Sequence, residues 1–315
     1  MTYKLTVPCL LGLEAPISDE LRRMECKNVA AENGRVYFEG DADIIARANI
    51  CSRIGERVMI EVGAFGALSF DELFEKTKAL PWENYIPRDG AFPVKGHSLN
   101  SKLFSVSDCQ SIIKKAVVER LKSVYGIAWF EETGALYQIQ FAIMKDKVSL
   151  CIDTSGDGLH KRGYRPAHTT APLKETMAAA MVSFSRYRGK GDFCDPFCGS
   201  GTIPIEAALI ARNIAPGLNR SFSARNWKNL DGGAWDRAHE YAMSREFHGG
   251  YSITGSDIDP KAVEMARENA KRAGMKVAEY VRDQAVHRPI KISYPIVADL
   301  PELQKLTDQF AGIAN

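Results

Sequence analysis

The sequence predicts an α/β protein whose C-terminal part is built on an open sheet that holds a nucleotide-like ligand. The first observation is segment 193–206, where an apolar strand reaches an acid, turns through two glycines and enters a helix. Open α/β sheets bind ligands at such strand–turn–helix junctions. The second is segment 253–260, where another strand ends in carboxylates before a helix. The third is a β-α-β-β-α-β order within residues 1–65, which is typical of a ferredoxin-like module.

The elements of this first module follow from hydrophobic periodicity. Strand-like alternation and helical spacing divide it into short elements, with Asp41 as the N-cap of the second helix. The predicted strands cover 3–7, 34–40 and 56–62, and the predicted helices cover 15–23 and 41–51.

Residues 66–155 form a second α/β unit in this interpretation. Ser69 and Glu72 form a capping box ahead of a helix over 73–80. A strand at 91–95 and an amphipathic helix over 107–125 follow. Segments 136–143 and 147–153 are predicted to pair as a hairpin.

Residues 156–172 mix glycine and proline with basic residues, which indicates a linker to a third domain over 173–315. Within that domain, residues 213–250 form an insertion between the first helix and the second strand. Trp227 and Trp235 lie in the insertion, where core packing is favoured over base stacking.

The glycine turn is specific in its chemistry. Gly199 and Gly201 permit a left-handed backbone and close approach of a ligand. Position 204 is Pro where the dehydrogenase fingerprint G-x-G-x-x-G has its third glycine, and no P-loop lysine follows. Asp259 directly precedes Pro260 and is the better helix cap. Asp257 is therefore left to bind the two hydroxyls of a ribose.

The string Asp-Pro-Phe-Cys-Gly-Ser-Gly-Thr at 195–202 resembles the first motif of class I S-adenosylmethionine (SAM) methyltransferases that modify RNA or DNA bases. Segments 159–165 and 171–176 are similar to the linker and the first helical segment of the THUMP-domain RNA methyltransferases. Within that group, the chain most resembles bacterial enzymes that methylate N2 of a guanine in 23S ribosomal RNA. The resemblance runs from the N-terminus to about residue 273.

This resemblance implies a ferredoxin-like module over 1–65, a THUMP domain over 66–155 that grips RNA, and a Rossmann-like class I methyltransferase domain over 173–315. It implies that the cofactor is SAM and that no metal is bound. It also implies that the partner is a structured RNA, with ribosomal RNA as the first candidate. The expected cofactor-binding residues are Asp195, Pro196, Phe197, Cys198, Gly199, Ser200, Gly201, Thr202, Asp257, Ile258, Pro172, Leu173 and Thr176. The expected RNA-binding residues are His160, Lys161, Arg162, Tyr164, Arg165, Lys114 and Lys115.

Some of these residues keep a second interpretation. Ser200 and Thr202 are equally suited to capping the following helix. Lys114 and Lys115 are equally suited to a solvent-facing stripe of their helix.

The same resemblance implies an Asn-Pro-Pro-Tyr motif that holds the exocyclic amine of the base, and residues 280–315 contain no such string. No catalytic residue is assigned, and the methyltransferase domain is expected to be incomplete in this sequence. A longer natural chain is the favoured explanation, and a variant that has lost its chemistry is the alternative. The expected function is methylation of guanine N2 in 23S rRNA. The alternatives are a tRNA guanine-N2 methyltransferase and a non-catalytic RNA-binding protein with a SAM pocket.

Composition sets wide limits. Hydrophobic residues make up 45% and charged residues 25% of the chain, as in soluble globular proteins, and the net charge of +2 neither supports nor excludes RNA binding. The seven cysteines form no Cys-x-x-Cys pair, which argues against structural zinc and favours a reducing cytoplasm. No apolar run approaches the ~20 residues that span a bilayer.

Overall fold

One mixed β-sheet of seven strands extends through the first 153 residues. It belongs to a computed structural model that describes residues 1–165, 173–247 and 250–275. Its strands are β1 (Tyr3–Pro8), β2 (Lys27–Glu32), β3 (Arg35–Gly40), β4 (Met59–Gly66), β5 (Val94–Leu99), β6 (Ile139–Met144) and β7 (Lys147–Asp153). The accompanying helices are α1 (Glu14–Arg23), α2 (Ala42–Cys51), α3 (Phe70–Lys78) and α4 (Val106–Tyr125).

The strand order is β2-β3-β1-β4-β7-β6-β5, so the first module (residues 1–65) and the second α/β unit (residues 66–155) share one sheet. The junction is the antiparallel pairing of β4 with β7, from Met59 opposite Asp153 to Gly66 opposite Lys147. Only β5 and β6 run parallel among these strand pairs. The two N-terminal parts are therefore joined by backbone hydrogen bonds as well as by side-chain packing.

The register explains which face of this sheet is the core. Leu5, Ile60, Ile152, Ile139 and Val94 lie opposite one another across five strands, and all are buried. They belong to the same apolar cluster as the buried side chains of α1 to α4. Because side chains alternate along a strand, the residues next to them face the other side. That second face carries polar residues, including Glu61, Gln140 and Lys95.

The predicted β-α-β-β-α-β order in residues 1–65 is confirmed, although no bounds were predicted for β2, and the hairpin of β6 and β7 is confirmed as well. Asp41 caps α2 by accepting the N–H of Ile44 at 3.1 Å, and Ser69 caps α3 by accepting the N–H of Glu72 at 3.2 Å. The strand predicted at 56–62 begins only at Met59. The reason is that the N–H of Val58 donates to the Ser155 hydroxyl instead of to a neighbouring strand.

The strand predicted at 91–95 is also displaced. Ala91 forms only an isolated bridge to Leu136, and β5 begins at Val94. Pro93 stands between them and has no N–H to donate, which suits the position just before a strand.

The third part of the chain contains two parallel strands and four helices among the described residues. They are α5 (Glu175–Phe184), β8 (Asp192–Asp195), α6 (Thr202–Ala211), α7 (Ala234–Ser244), β9 (Ser252–Gly255) and α8 (Pro260–Arg272). Between α6 and β9, the insertion packs against the N-terminal sheet and its helices. Trp227 stacks on Tyr137 with ring centroids 4.5 Å apart, and Trp235 stacks on Phe222 at 5.0 Å. Both tryptophans are buried, so the prediction of core packing is confirmed.

Candidate cofactor site

The turn between β8 and α6 has the backbone that its glycines require. Gly199 has φ +51° and Gly201 has φ +84°, both in the left-handed region, as predicted. A Cβ on Gly201 would lie 2.9 Å from the Cβ of Ala266 on α8, whereas one on Gly199 would meet nothing within 4 Å. Gly201 therefore allows α8 to pack against the turn, and Gly199 leaves an open surface that a ligand can approach.

Asp257, two residues after the end of β9, stabilises this turn through hydrogen bonds. Its Oδ2 accepts the N–H of Gly199 at 2.9 Å, and its Oδ1 accepts the N–H of Asp259 at 3.0 Å. The N–H groups of Asp259 and Gly199 lower the pKa of the Asp257 carboxyl. The sequence did not indicate this role. A carboxylate has about four lone-pair sites, so Asp257 can still accept hydrogen bonds from a ligand.

A cleft of about 550 Å³ opens at the carboxyl end of β8. It is lined by Leu173, Asp195, Phe197, Cys198, Gly199, Ser200, Thr202, Ile203, Asp259, Lys261, Ala262 and Met265. The first seven of these were expected from the sequence. Burial raises the pKa of the Cys198 thiol to about 11, with Asp195 and Asp257 contributing, so this cysteine is a packing residue at neutral pH.

The remaining expected residues lie around the cleft or away from it. Gly201 and Asp257 support the turn, while Pro196 and Ile258 are exposed beside it. Thr176 is buried and its hydroxyl donates to Glu56 Oε1 at 3.2 Å. Pro172 lies outside the described residues.

Five cleft residues were not expected as cofactor-binding residues, namely Ile203, Asp259, Lys261, Ala262 and Met265. Among them, Lys261 and Met265 lie one helical turn apart on α8. Their signal was available in principle, because they lie four residues apart and four and eight residues after Asp257, on one face of the helix. Asp259 caps α8 as expected, accepting the N–H of Lys261 at 2.9 Å.

Helix α6 begins at Thr202 with Gly201 as N-cap, and no side chain caps it. The Thr202 hydroxyl instead accepts a hydrogen bond from Arg165. Asn269 on α8 donates to the carbonyl of Ser200 at 3.0 Å. The capping alternative for Ser200 and Thr202 is therefore wrong.

The linker residues expected to contact RNA divide into interior and surface groups. Arg162 and Tyr164 are each 4% exposed and both bind Glu206, which is fully buried. The Nε of Arg162 lies 3.3 Å from Glu206 Oε1, and the hydroxyl of Tyr164 lies 3.3 Å from the same oxygen. These two side chains therefore join the linker to α6 through buried contacts, and they do not reach the protein surface. Lys161 is exposed and pairs with Asp157 at 2.8 Å.

His160 is partly buried beside Glu56, with 4.0 Å between its Nδ1 and Glu56 Oε2. Its burial lowers the pKa of the imidazole. On α4, Lys114 donates to Glu132 at 2.5 Å and lies 3.5 Å above the ring of Phe92. Lys114 is therefore held by Glu132. Lys115, in contrast, is exposed, and its Nζ lies 5.7 Å from the centroid of the Phe74 ring.

The cleft has the properties that SAM requires. Carboxylates suit the ammonium group and the ribose hydroxyls of SAM. The open surface at the glycine turn lets the cofactor approach the protein backbone, and apolar side chains suit its adenine ring. A parallel strand pair with a glycine turn after the first strand and an acid after the second defines the cofactor half of a class I methyltransferase. Among the described residues, no group of three His, Cys, Asp or Glu could hold a metal, and no helix is long and apolar enough to cross a membrane.

Three family models match consecutive parts of the chain. They are the RlmL ferredoxin-like domain over residues 4–59, the THUMP domain over 67–153 and the UPF0020, RMKL-like methyltransferase domain over 162–312. The chain belongs to the RMKL-like family of RNA methyltransferases, and its cofactor is SAM.

Two curated relatives illustrate the family. The Bacillus subtilis (strain 168) protein named "Putative RNA methyltransferase YpsC" is 48% identical over 278 residues, which cover 87% of this chain and 71% of YpsC. Ribosomal RNA large subunit methyltransferase K/L of Magnetococcus marinus is 33% identical over 284 residues, covering 87% of this chain. The match spans 39% of that enzyme's length.

Two solved structures of methyltransferases are similar to this chain as well. A protein of Listeria monocytogenes, titled as a predicted N6-adenine-specific DNA methylase, superposes with a TM-score of 0.84 at 50% identity. SMU.472, in complex with S-adenosylhomocysteine (SAH), superposes with a TM-score of 0.82 at 40% identity. Each match covers 87% of this chain and 73% of the other.

Proposed function

We propose that this protein transfers the methyl group of SAM to the N2 amine of a guanine in 23S ribosomal RNA. The observation that carries the proposal is the combination, in one chain, of the glycine-turn cleft with a THUMP domain. The name of the K/L relatives supports large-subunit ribosomal RNA as the substrate. A transfer RNA guanine is the second candidate substrate.

SAM supplies a methyl group on a positively charged sulfonium, which is a good leaving group, so the protein's task is mainly to position the reactants. In this proposal Asp195 and Asp257 bind the polar groups of the cofactor. The turn at Gly199 lets it approach the backbone, and Leu173 and Met265 contact its apolar surface. No residue among 1–315 is assigned to hold the guanine amine, because the sequence contains no Asn-Pro-Pro-Tyr string.

RNA would bind a polar groove on the second face of the N-terminal sheet. The groove has a volume of about 710 Å³, and its walls come from β5, β6, the linker and the insertion. Lys95 on the edge strand lies beside Gln140 on β6. The polar side chains along it are those of Arg57, Lys95, His97, Gln138, Gln140, Ser155, Asp157, Ser221, Ser223 and Asn226. The carboxylate among them, Asp157, is paired with Lys161.

These groups suit a single-stranded segment of RNA. Within the described residues, the side chains of Lys95, Gln138, Gln140 and Asn226 have no hydrogen-bond partner. A lysine neutralises phosphate, and amide side chains read the edges of unpaired bases. This groove replaces Arg162, Tyr164 and the α4 residue Lys115 as the proposed RNA surface, and it leaves Lys161 as an outlying contact.

The test has two stages. Calorimetry with SAH measures cofactor binding by residues 1–315. The protein isolated from its natural source is then incubated with radiolabelled SAM and either 23S rRNA or transfer RNA, both lacking the modification. The methylated nucleoside is identified by mass spectrometry. N2-methylguanosine in 23S rRNA is the expected product.

Each other outcome points to a different function. Label in transfer RNA supports the second substrate, and N6-methyladenosine overturns the assignment of guanine. SAH and RNA binding without any methyl transfer by the natural protein supports a non-catalytic RNA-binding protein. Failure to bind SAH at all contradicts the cofactor site.

A further inference from the structure

We infer that Arg165 is a positioning residue that sets the width of the cofactor cleft by holding two of its walls together. The inference rests on the cofactor cleft of the proposed function. It assigns to Arg165 an indirect role in cofactor binding, in place of the RNA contact expected from the sequence.

The contacts of the Arg165 guanidinium carry this inference. Its Nη1 donates to the carbonyl of Leu173 at 3.2 Å, and its Nη2 donates to the hydroxyl of Thr202. Leu173 and Thr202 both line the cleft but belong to different segments, one before α5 and the other at the first residue of α6. A planar guanidinium with donors in a fixed fork can hold two acceptors at a set separation.

The surroundings keep this fork in place. The Arg165 side chain is 10% exposed, and Glu175 at the start of α5 lies 3.5 Å from its Nη1. The Glu175 side chain is itself 6% exposed, so the pair is shielded from solvent. One turn further along α6, Glu206 is held by Arg162 and Tyr164. The linker thus binds α6 at two positions four residues apart, on one face of the helix.

Position 202 adjoins the glycine turn, so a shift of the α6 N-terminus moves the turn as well. Without the guanidinium, the Leu173 segment and α6 have no direct hydrogen bond to each other among the described residues. The cleft would then sample wider arrangements, and only a fraction of molecules would be ready to bind. The apparent affinity for the cofactor falls by that fraction.

The experiment measures SAH binding to residues 1–315 by calorimetry, with variants at both ends of the contact. Arg165→Ala is expected to raise Kd by about tenfold or more, the usual effect of losing a charged hydrogen bond. Arg165→Lys keeps the charge without the fork and should recover only part of the affinity. Thr202→Val should weaken binding by a smaller factor, and Thr202→Ser, which keeps the hydroxyl, should weaken it less than Thr202→Val does.

The double variant Arg165→Ala with Thr202→Val distinguishes positioning from general stability. If the two residues act through one contact, the double variant binds no more weakly than Arg165→Ala alone. A residue that only stabilises the fold would lower the binding stoichiometry through unfolded protein and leave Kd unchanged. Arg272→Ala removes the same charge from an exposed arginine at the end of α8 and should leave Kd unchanged.

Three results would overturn the inference. They are a Kd of Arg165→Ala within twofold of wild type, additive effects of the two substitutions, or a fall in stoichiometry alone. Wild-type protein that does not bind SAH would overturn the cofactor site itself, which separates that failure from a failure of Arg165.

Discussion

Removal of the Arg162 guanidinium provides the sharpest test of the interior role that the structure gives to the linker. Its side chain is 2% exposed and that of Glu206 is fully buried, and they are joined by contacts of 3.3 and 3.4 Å. Arg162 also donates to the carbonyls of Leu159 and Arg53. Arg162→Met would leave the buried Glu206 carboxylate with the Tyr164 hydroxyl but without its cationic partner, at a cost of about 3–5 kcal/mol. That is a large part of the 5–15 kcal/mol by which proteins are typically stable.

Urea unfolding followed by tryptophan fluorescence measures this loss. With a denaturant slope of about 3 kcal/mol/M, the midpoint should fall by about 1 M or more. The variant Arg162→Met with Glu206→Leu should recover part of the loss, because the unpaired carboxylate is then gone, although two carbonyls and the Tyr164 hydroxyl lose their partners. Lys161→Ala changes the exposed neighbouring residue and should shift stability by less than about 0.5 kcal/mol. A midpoint of Arg162→Met equal to that of Lys161→Ala would refute the reasoning.

Three further predictions concern the two proposed binding regions. Asp257→Ala should weaken SAH binding more than Asp257→Asn, which keeps one acceptor for the turn. The folded-state pKa of Asp257 is lowered, so its carboxylate is charged and its two hydrogen bonds are intact at any pH above the ordinary Asp value of about 4. SAH affinity should fall only when the pH drops through the lower, folded-state pKa. Iodoacetamide at pH 8 should alkylate exposed Cys194 well before Cys198, because a pKa of about 11 leaves only about one Cys198 thiol in a thousand as thiolate. Equal alkylation rates of the two cysteines in peptide mass spectrometry would contradict this. Lys95→Ala should reduce the affinity for single-stranded RNA several-fold and lower the salt dependence by about one phosphate, whereas Lys115→Ala should change neither; the reverse pattern in fluorescence anisotropy would return the RNA to α4.

The features that the sequence predicted well are those encoded by neighbouring residues. The left-handed turn at Gly199 and Gly201 follows from glycine itself, and the caps at Asp41 and Asp259 follow from one polar residue before a periodic segment. Motif resemblance gave the cofactor class for the same reason, since eight consecutive residues carry it. Each of these features can be recognised without knowing where the rest of the chain lies.

The features that were missed depend on residues far apart in the chain. The basic residues of segment 159–165 were expected to contact RNA. Arg162 and Tyr164 instead bind Glu206, which lies more than 40 residues later in the chain. Lys114 is likewise held by Glu132, which reaches it from a separate loop. The charge of a side chain identifies its chemistry, whereas burial is decided by tertiary packing that local sequence does not contain.

The inward-turned linker also bears on how RNA and cofactor are brought together. Arg162 connects the carbonyl of Arg53, just after α2 in the ferredoxin-like part, with Glu206 on the cofactor helix. Nearby, Gly217 of the insertion approaches α2 so closely that a Cβ would lie 2.7 Å from the Cα of Ile50. The polar groove and the cofactor cleft are therefore joined by buried contacts and not merely tethered by 17 linker residues. In a methyltransferase of this construction, the separation between bound RNA and cofactor would be a fixed property of the packed protein, and it would help to select the nucleotide that is modified.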